Sequence, residues 1–112
     1  MAQPFVELNV GGVPYYTTRS TLRMCTDGFL AKMVERSSGE IGTFFIDRDP
    51  MHFRYVLNHL RGSDVLPTDV LSLRELRAEA DFYNLPLLLK CVDKAINRHP
   101  GSAETHLSKL YE

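Results

Sequence analysis

The stretch Phe45-Ile46-Asp47-Arg48-Asp49-Pro50 constrains this chain more than any other. A short apolar strand stops at consecutive charges, proline opens a helix, and Gly62 closes it. Asp49 is placed to cap that helix by accepting from the Met51 or His52 amide. Pro50 suits the first helical position, where its missing N–H costs nothing. Phe53, Val56, Leu57 and Leu60 recur on one helical face. Gly62 suits the left-handed residue that ends a helix. The pattern demands a rigid strand-to-helix corner that carries fixed charges.

Around this corner the remaining elements follow. Val6-Glu7-Leu8-Asn9-Val10 alternates apolar and polar, as a half-buried strand does. Gly11-Gly12 and the β-formers from Val13 to Thr18 make a hairpin with it, since a tight turn needs positive φ. Ser20-Thr21 offers a short helix containing Leu22 and Met24. Thr26-Asp27 starts a second, with Phe29, Leu30, Met33 and Val34 on one face. Ser37-Ser38-Gly39-Glu40 is a loop by composition, and Thr43 to Ile46 is the third strand. A helix is expected from about Val70 to Tyr83, with Leu73, Leu76, Ala80 and Tyr83 inward. Asn84-Leu85-Pro86 interrupts it. A last helix carries Leu88, Cys91, Val92, Ala95 and Ile96 inward and stops at Pro100-Gly101-Ser102. Residues 100–112 read as a tail, a frayed helix or the start of a linker. The order implies a mixed α/β (α+β) fold, one small three-stranded sheet covered by about five helices.

Composition excludes several classes of partner. The chain has 112 residues, one domain's worth, and a formal net charge of -1. Neither nucleic acid nor an anionic membrane is expected to bind, because both need a basic surplus. No apolar run spans a bilayer, and the N-terminus has no signal-peptide pattern. Cys25 and Cys91 lie far apart in expected helices. A disulfide stays open; two buried free thiols of a reducing cytosol are favoured.

Catalytic and metal signatures are weak. His52 and His59 share a helix but stand about 10.5 Å apart along it, too far for one ion. Neither cysteine has a partner at structural-zinc spacing, so no metal and no cofactor is expected. There is no Gly-x-Ser-x-Gly elbow and no phosphate loop. Asp47 and Asp49 could form a general acid/base pair. The plainer reading has Asp49 capping a helix and Asp47 neutralised by arginine.

The middle helix carries a sharper pattern. Arg54, Asn58 and Arg61 stand at i, i+4 and i+7, one polar stripe beside the apolar one. His52, Tyr55 and His59 form a second stripe on the other flank. Arginine and tyrosine are enriched at interfaces while lysine is depleted, which favours an interface over a solvated face.

Five ordered blocks together resemble the BTB/POZ domain of the potassium-channel tetramerisation type. They are Leu8 to Gly12, Tyr16 to Leu22, Phe45 to Pro50, Val56 to Arg61 and Glu79 to Tyr83. The likeness covers residues 5–99 and is nearest to the soluble KCTD proteins. It implies a homo-oligomeric ring of about four or five subunits meeting head to tail. One subunit face would carry Asp47, Arg48, Asp49, Arg54, Asn58 and Arg61; the other would carry Asn9, Tyr16 and Thr18. Many soluble members are similar to cytoplasmic substrate adaptors of cullin-3 ubiquitin ligases. That similarity assigns Phe82, Tyr83, Asn84 and Leu85 to the cullin surface, although Phe82 and Tyr83 equally suit a core. The intersubunit zinc of some channel members needs adjacent cysteines, which this chain lacks. An assembly domain of a potassium channel, without cullin binding, is the second reading. An enzyme using Asp47 and Asp49 is the third.

Overall fold

A computed structural model describes residues 5–37 and 42–99. The expected loop residues 38–40, the tail 100–112 and the N-terminal residues 1–4 lie outside this range. β1 (Val6–Val10) pairs antiparallel with β2 (Val13–Thr17) and parallel with β3 (Thr43–Ile46), giving the sheet order β2-β1-β3. Five helices are described: α1 (Arg19–Leu22), α2 (Phe29–Arg36), α3 (Phe53–Leu60), α4 (Val70–Phe82) and α5 (Pro86–Arg98). The expected fold class is therefore present.

Strand alternation decides which sheet face is covered. Val6, Leu8 and Val10 are fully buried, with Ile46 beside them. Glu7 and Asn9 point the other way. Register places Tyr16 and Thr43 on either side of Glu7, and Pro14 and Phe45 on either side of Asn9. The inner face meets Phe53, Val56, Leu57 and Leu60 of α3, Leu73, Leu76 and Ala80 of α4, and Leu88 and Val92 of α5. No helix among the described residues is long and apolar enough to cross a membrane.

The hairpin turn is fixed twice. Gly11 and Gly12 have φ of 56° and 101°, as a two-residue turn requires. The Gly12 amide also donates to Asn9 Oδ1 at 2.8 Å. Gly11 further packs on the corner: its amide donates to the Ile46 carbonyl at 2.9 Å. A Cβ added there would collide with the Arg48 carbonyl oxygen.

Several local expectations are corrected. Pro50 does not begin α3, which starts at Phe53. Asp49 does accept from the Met51 amide at 2.9 Å, but this closes a separate turn whose Pro50 carbonyl then receives the Phe53 amide at 3.1 Å. Met24 lies beyond α1 and is largely exposed. α2 begins at Phe29 rather than near Thr26, because the Phe29 amide is taken by the Tyr83 carbonyl at 3.0 Å. No side-chain cap is then needed. Cys25 sits in a bend and Cys91 faces outward on α5; both thiols are free and neither is fully buried.

Two helix ends share one device. In each, a left-handed residue follows the last turn and two amides reach back to its carbonyls. After α3 the residue is Gly62 (φ 97°), with Gly62 bonded to His59 and Ser63 to Asn58. After α4 it is Asn84 (φ 53°), with Asn84 bonded to Asp81 and Leu85 to Ala80. Leu85 is thereby drawn into the core and Pro86 starts α5.

Candidate interaction surfaces

The charged corner divides into unlike parts. Asp47 is exposed and has no hydrogen bond or ion partner among the described residues. Asp49 is committed to its turn. Arg48 does not neutralise Asp47. It forks onto Glu79 of α4, Nε to Oε1 at 3.2 Å and Nη2 to Oε2 at 2.6 Å. Its guanidinium also lies 4.1 Å over the Phe82 ring. Arg48 is thus a clamp between the corner and α4, an internal role that its flanking aspartates conceal.

The helical stripe is anchored to the hairpin. Arg61 Nη1 donates to Asn58 Oδ1 at 3.1 Å, and Nη2 donates to the Tyr16 carbonyl at 2.7 Å. Arg54 is exposed, its guanidinium 5.3 Å from the Tyr55 ring. Tyr16 and Arg61 therefore adjoin within one subunit, and Asn9 with its turn adjoins the corner. A division between strand residues on one face and helix residues on the other does not describe this surface. Thr18 serves locally, accepting from the Thr21 amide at 3.1 Å to cap α1.

The outer sheet face is unusually aromatic. Phe45 is 66% exposed, Tyr16 55% and Phe5 53%. Phe5 meets Tyr16 edge-on at 6.5 Å. The neighbouring Glu7 carboxylate raises the Tyr16 phenol's pKa, by hydrogen bonding first and charge second.

The four residues assigned to a cullin surface separate. Tyr83 and Leu85 belong to the core and are unavailable to a partner. Tyr83 packs against Phe53 and Phe29, and burial pushes its hydroxyl's pKa up. Phe82 remains partly exposed and pairs with Phe29, ring centroids 5.0 Å apart. Asn84 is exposed, but its Nδ2 donates to the Asp27 carbonyl at 2.9 Å. Sequence reasoning missed Phe29 as the exposed partner of Phe82, because periodicity assigned it to the inward face of α2.

Metal chemistry finds no cluster of three or more His, Cys, Asp or Glu among the described residues. His52 instead shares a 2.9 Å contact with Glu75 of α4.

The family model described as BTB/POZ domain matches residues 6–92. The chain belongs to the BTB/POZ family. The match covers both the corner and the strand–helix order around it. Among curated proteins, BTB/POZ domain-containing protein KCTD5 of Bos taurus is 35% identical over 96% of the chain and 49% of its own length. KCTD5 of Homo sapiens is 34% identical over the same shares. KCTD21 of Mus musculus is 40% identical over 84% of the chain and 38% of its own length. The BTB/POZ chain thus spans about half, or less, of the relatives it matches. Its likeness is to the potassium-channel tetramerisation type and its KCTD branch, a family of oligomerisation and protein-interaction domains.

Proposed function

We propose that this BTB/POZ domain assembles copies of itself head to tail into a closed ring of about four or five subunits. The outer sheet face carries the reading: Phe5 and Tyr16 are exposed and packed together, Phe45 is exposed across β1 from them, and exposed apolar surface of this kind marks interaction sites. Charge supports it. Asp47 and Asp49 give the corner exposed acidic groups near Asn9, and Arg54 and Arg61 give the α3 side exposed basic ones, Arg61 bonded to Asn58 and the Tyr16 carbonyl. Heterologous contact would set the acidic corner of one copy against the basic stripe of the next, fixing register more than adding affinity. The domain proper is residues 5–99, and Arg48 supports the acidic side by holding the corner on α4.

A charge exchange tests this. Asp47→Arg and the pair Arg54→Glu with Arg61→Glu should each give monomers by light scattering. Combining Asp47→Arg with Arg54→Glu should regain assembly. Unchanged mass in every variant would remove the assignment.

We further propose that the ring serves a cytoplasmic substrate adaptor of cullin-3 ubiquitin ligase. Phe82 and Phe29 offer the exposed aromatic pair, with Asn84 beside them. Titration calorimetry with the cullin-3 N-terminal domain should give heat that Phe82→Ala abolishes without changing oligomer mass. Absence of heat from the intact oligomer would favour the channel-assembly reading instead.

A further inference from the structure

The side chains of Arg23 and Thr26 serve neither the core nor the surfaces described above. The chain has 13 lysines and arginines, and Arg23 alone has a hydroxyl residue three positions after it, Thr26. Both are exposed. Arg23 has no carboxylate partner, and the Thr26 hydroxyl has no hydrogen bond, among the described residues. Ser20, Ser37 and Ser63 also lie near arginines, but their hydroxyls are bonded within the fold. Thr26 is the second residue of a turn between α1 and α2. The Gly28 amide closes this turn on the Cys25 carbonyl at 3.0 Å. The turn rests on Asn84, whose Nδ2 donates to the Asp27 carbonyl at 2.9 Å and whose carbonyl accepts from Cys25 Sγ at 3.6 Å.

We propose that Thr26 is a phosphorylation site for a protein kinase that recognises arginine three positions before its acceptor, and that the phosphate controls access to the Phe29–Phe82 surface. The second half rests on the reading of that surface as a partner site. A kinase selective for a basic residue presents a carboxylate to it, and the uncommitted Arg23 guanidinium is a two-pronged mate for one. In the transfer, Thr26 Oγ1 attacks the γ-phosphorus of ATP. The new O–P bond forms as the bond to the ADP oxygen breaks, and the hydroxyl proton passes to the kinase's base. ATP is the only co-reactant. The product carries about two negative charges beside Asp27 and three residues before Phe29. Phe29 and Phe82 pair with ring centroids 5.0 Å apart. A partner that covers them must then also desolvate a dianion, which opposes association.

The test uses the folded full chain, ATP and the catalytic domain of calcium/calmodulin-dependent protein kinase II. One phosphate per chain should appear, mapped to Thr26 by tandem mass spectrometry. Thr26→Val should take up none. Arg23→Ala should react at least about tenfold more slowly, the loss of one charge-assisted contact to the kinase. Both positions are exposed, so far-ultraviolet circular dichroism of the variants should not change. The phosphorylated chain should keep its oligomer mass and bind the cullin-3 N-terminal domain at least about tenfold more weakly than the unmodified chain. The site is overturned by labelling at another hydroxyl, by labelling of a synthetic 19–30 peptide but not of the folded chain, or by an Arg23→Ala rate equal to that of the wild type. Equal affinity before and after labelling overturns the control of access. If the unmodified chain binds no cullin-3, the partner reading and the control of access fall together, whereas labelling at Thr26 still upholds the site.

Discussion

Arg48 and Glu79, 31 positions apart, form a two-pronged ion pair that fastens the strand-to-helix corner to α4. Glu79 is nearly buried and Arg48 only partly exposed, so water competes weakly for either. Both groups also lie against aromatic surface, Arg48 on Phe82 and Glu79 near the Tyr83 hydroxyl. Removing one partner leaves the other desolvated and unpaired. Arg48→Ala and Glu79→Gln should each cost about 1–3 kcal/mol of stability, and the double variant little more than either alone. Urea titration of the four proteins checks this; additive losses would show that the two side chains act separately.

Gly11 and Gly12 should differ although both have positive φ. Alanine at Gly12 meets open space and costs only the backbone strain, about 1–2 kcal/mol. Alanine at Gly11 has the milder φ but collides with the Arg48 carbonyl. Its thermal midpoint should fall further than that of the Gly12 variant. The reverse order would mean that the hairpin does not rest on the corner.

Asn84 has the same division of labour at the end of α4. Its left-handed φ of 53° suits glycine, while its amide holds the Asp27 carbonyl. Asn84→Ala should lose both conformation and contact, about 1–3 kcal/mol. Asn84→Gly should lose only the contact. Equal losses measured by chemical denaturation would leave backbone conformation without a role there.

His59 sets a pH response. It is half-buried between α3 and the Lys90–Lys94 edge of α5, and burial lowers its pKa. The folded state therefore binds this proton less readily than the unfolded chain. Above the unfolded value of about 6.5 both states are neutral and the group contributes nothing. As pH falls through that value the unfolded chain protonates first, and stability drops. His59→Gln should flatten the urea midpoint between about pH 7 and pH 5. Parallel curves for the two proteins would contradict this.

Much of this architecture was legible because it depends on local pattern. Alternation in Val6 to Val10 named the buried strand face, and Gly62 named the end of α3. The residues that escaped depend on distant neighbours. Arg48 looked like an interface charge because its true partner, Glu79, lies on another helix. The start of α2 was misplaced because a carbonyl from Tyr83 replaces a side-chain cap. Periodicity already set Tyr83 inward, and only the family likeness assigned Leu85 to a partner surface, although both are buried. The left-handed turn at Asn84 is what rotates Leu85 inward. The adjacency of Tyr16 and Arg61 is likewise a tertiary fact, invisible in spacing along the chain.

Native mass spectrometry of the full chain tests the central claim most directly. A subunit weighs 12.8 kDa. The ring account predicts a single closed species at about four or five times that mass, collapsing to the subunit mass in the Arg54→Glu, Arg61→Glu variant. A wild-type chain that remains at 12.8 kDa across micromolar concentrations would contradict it.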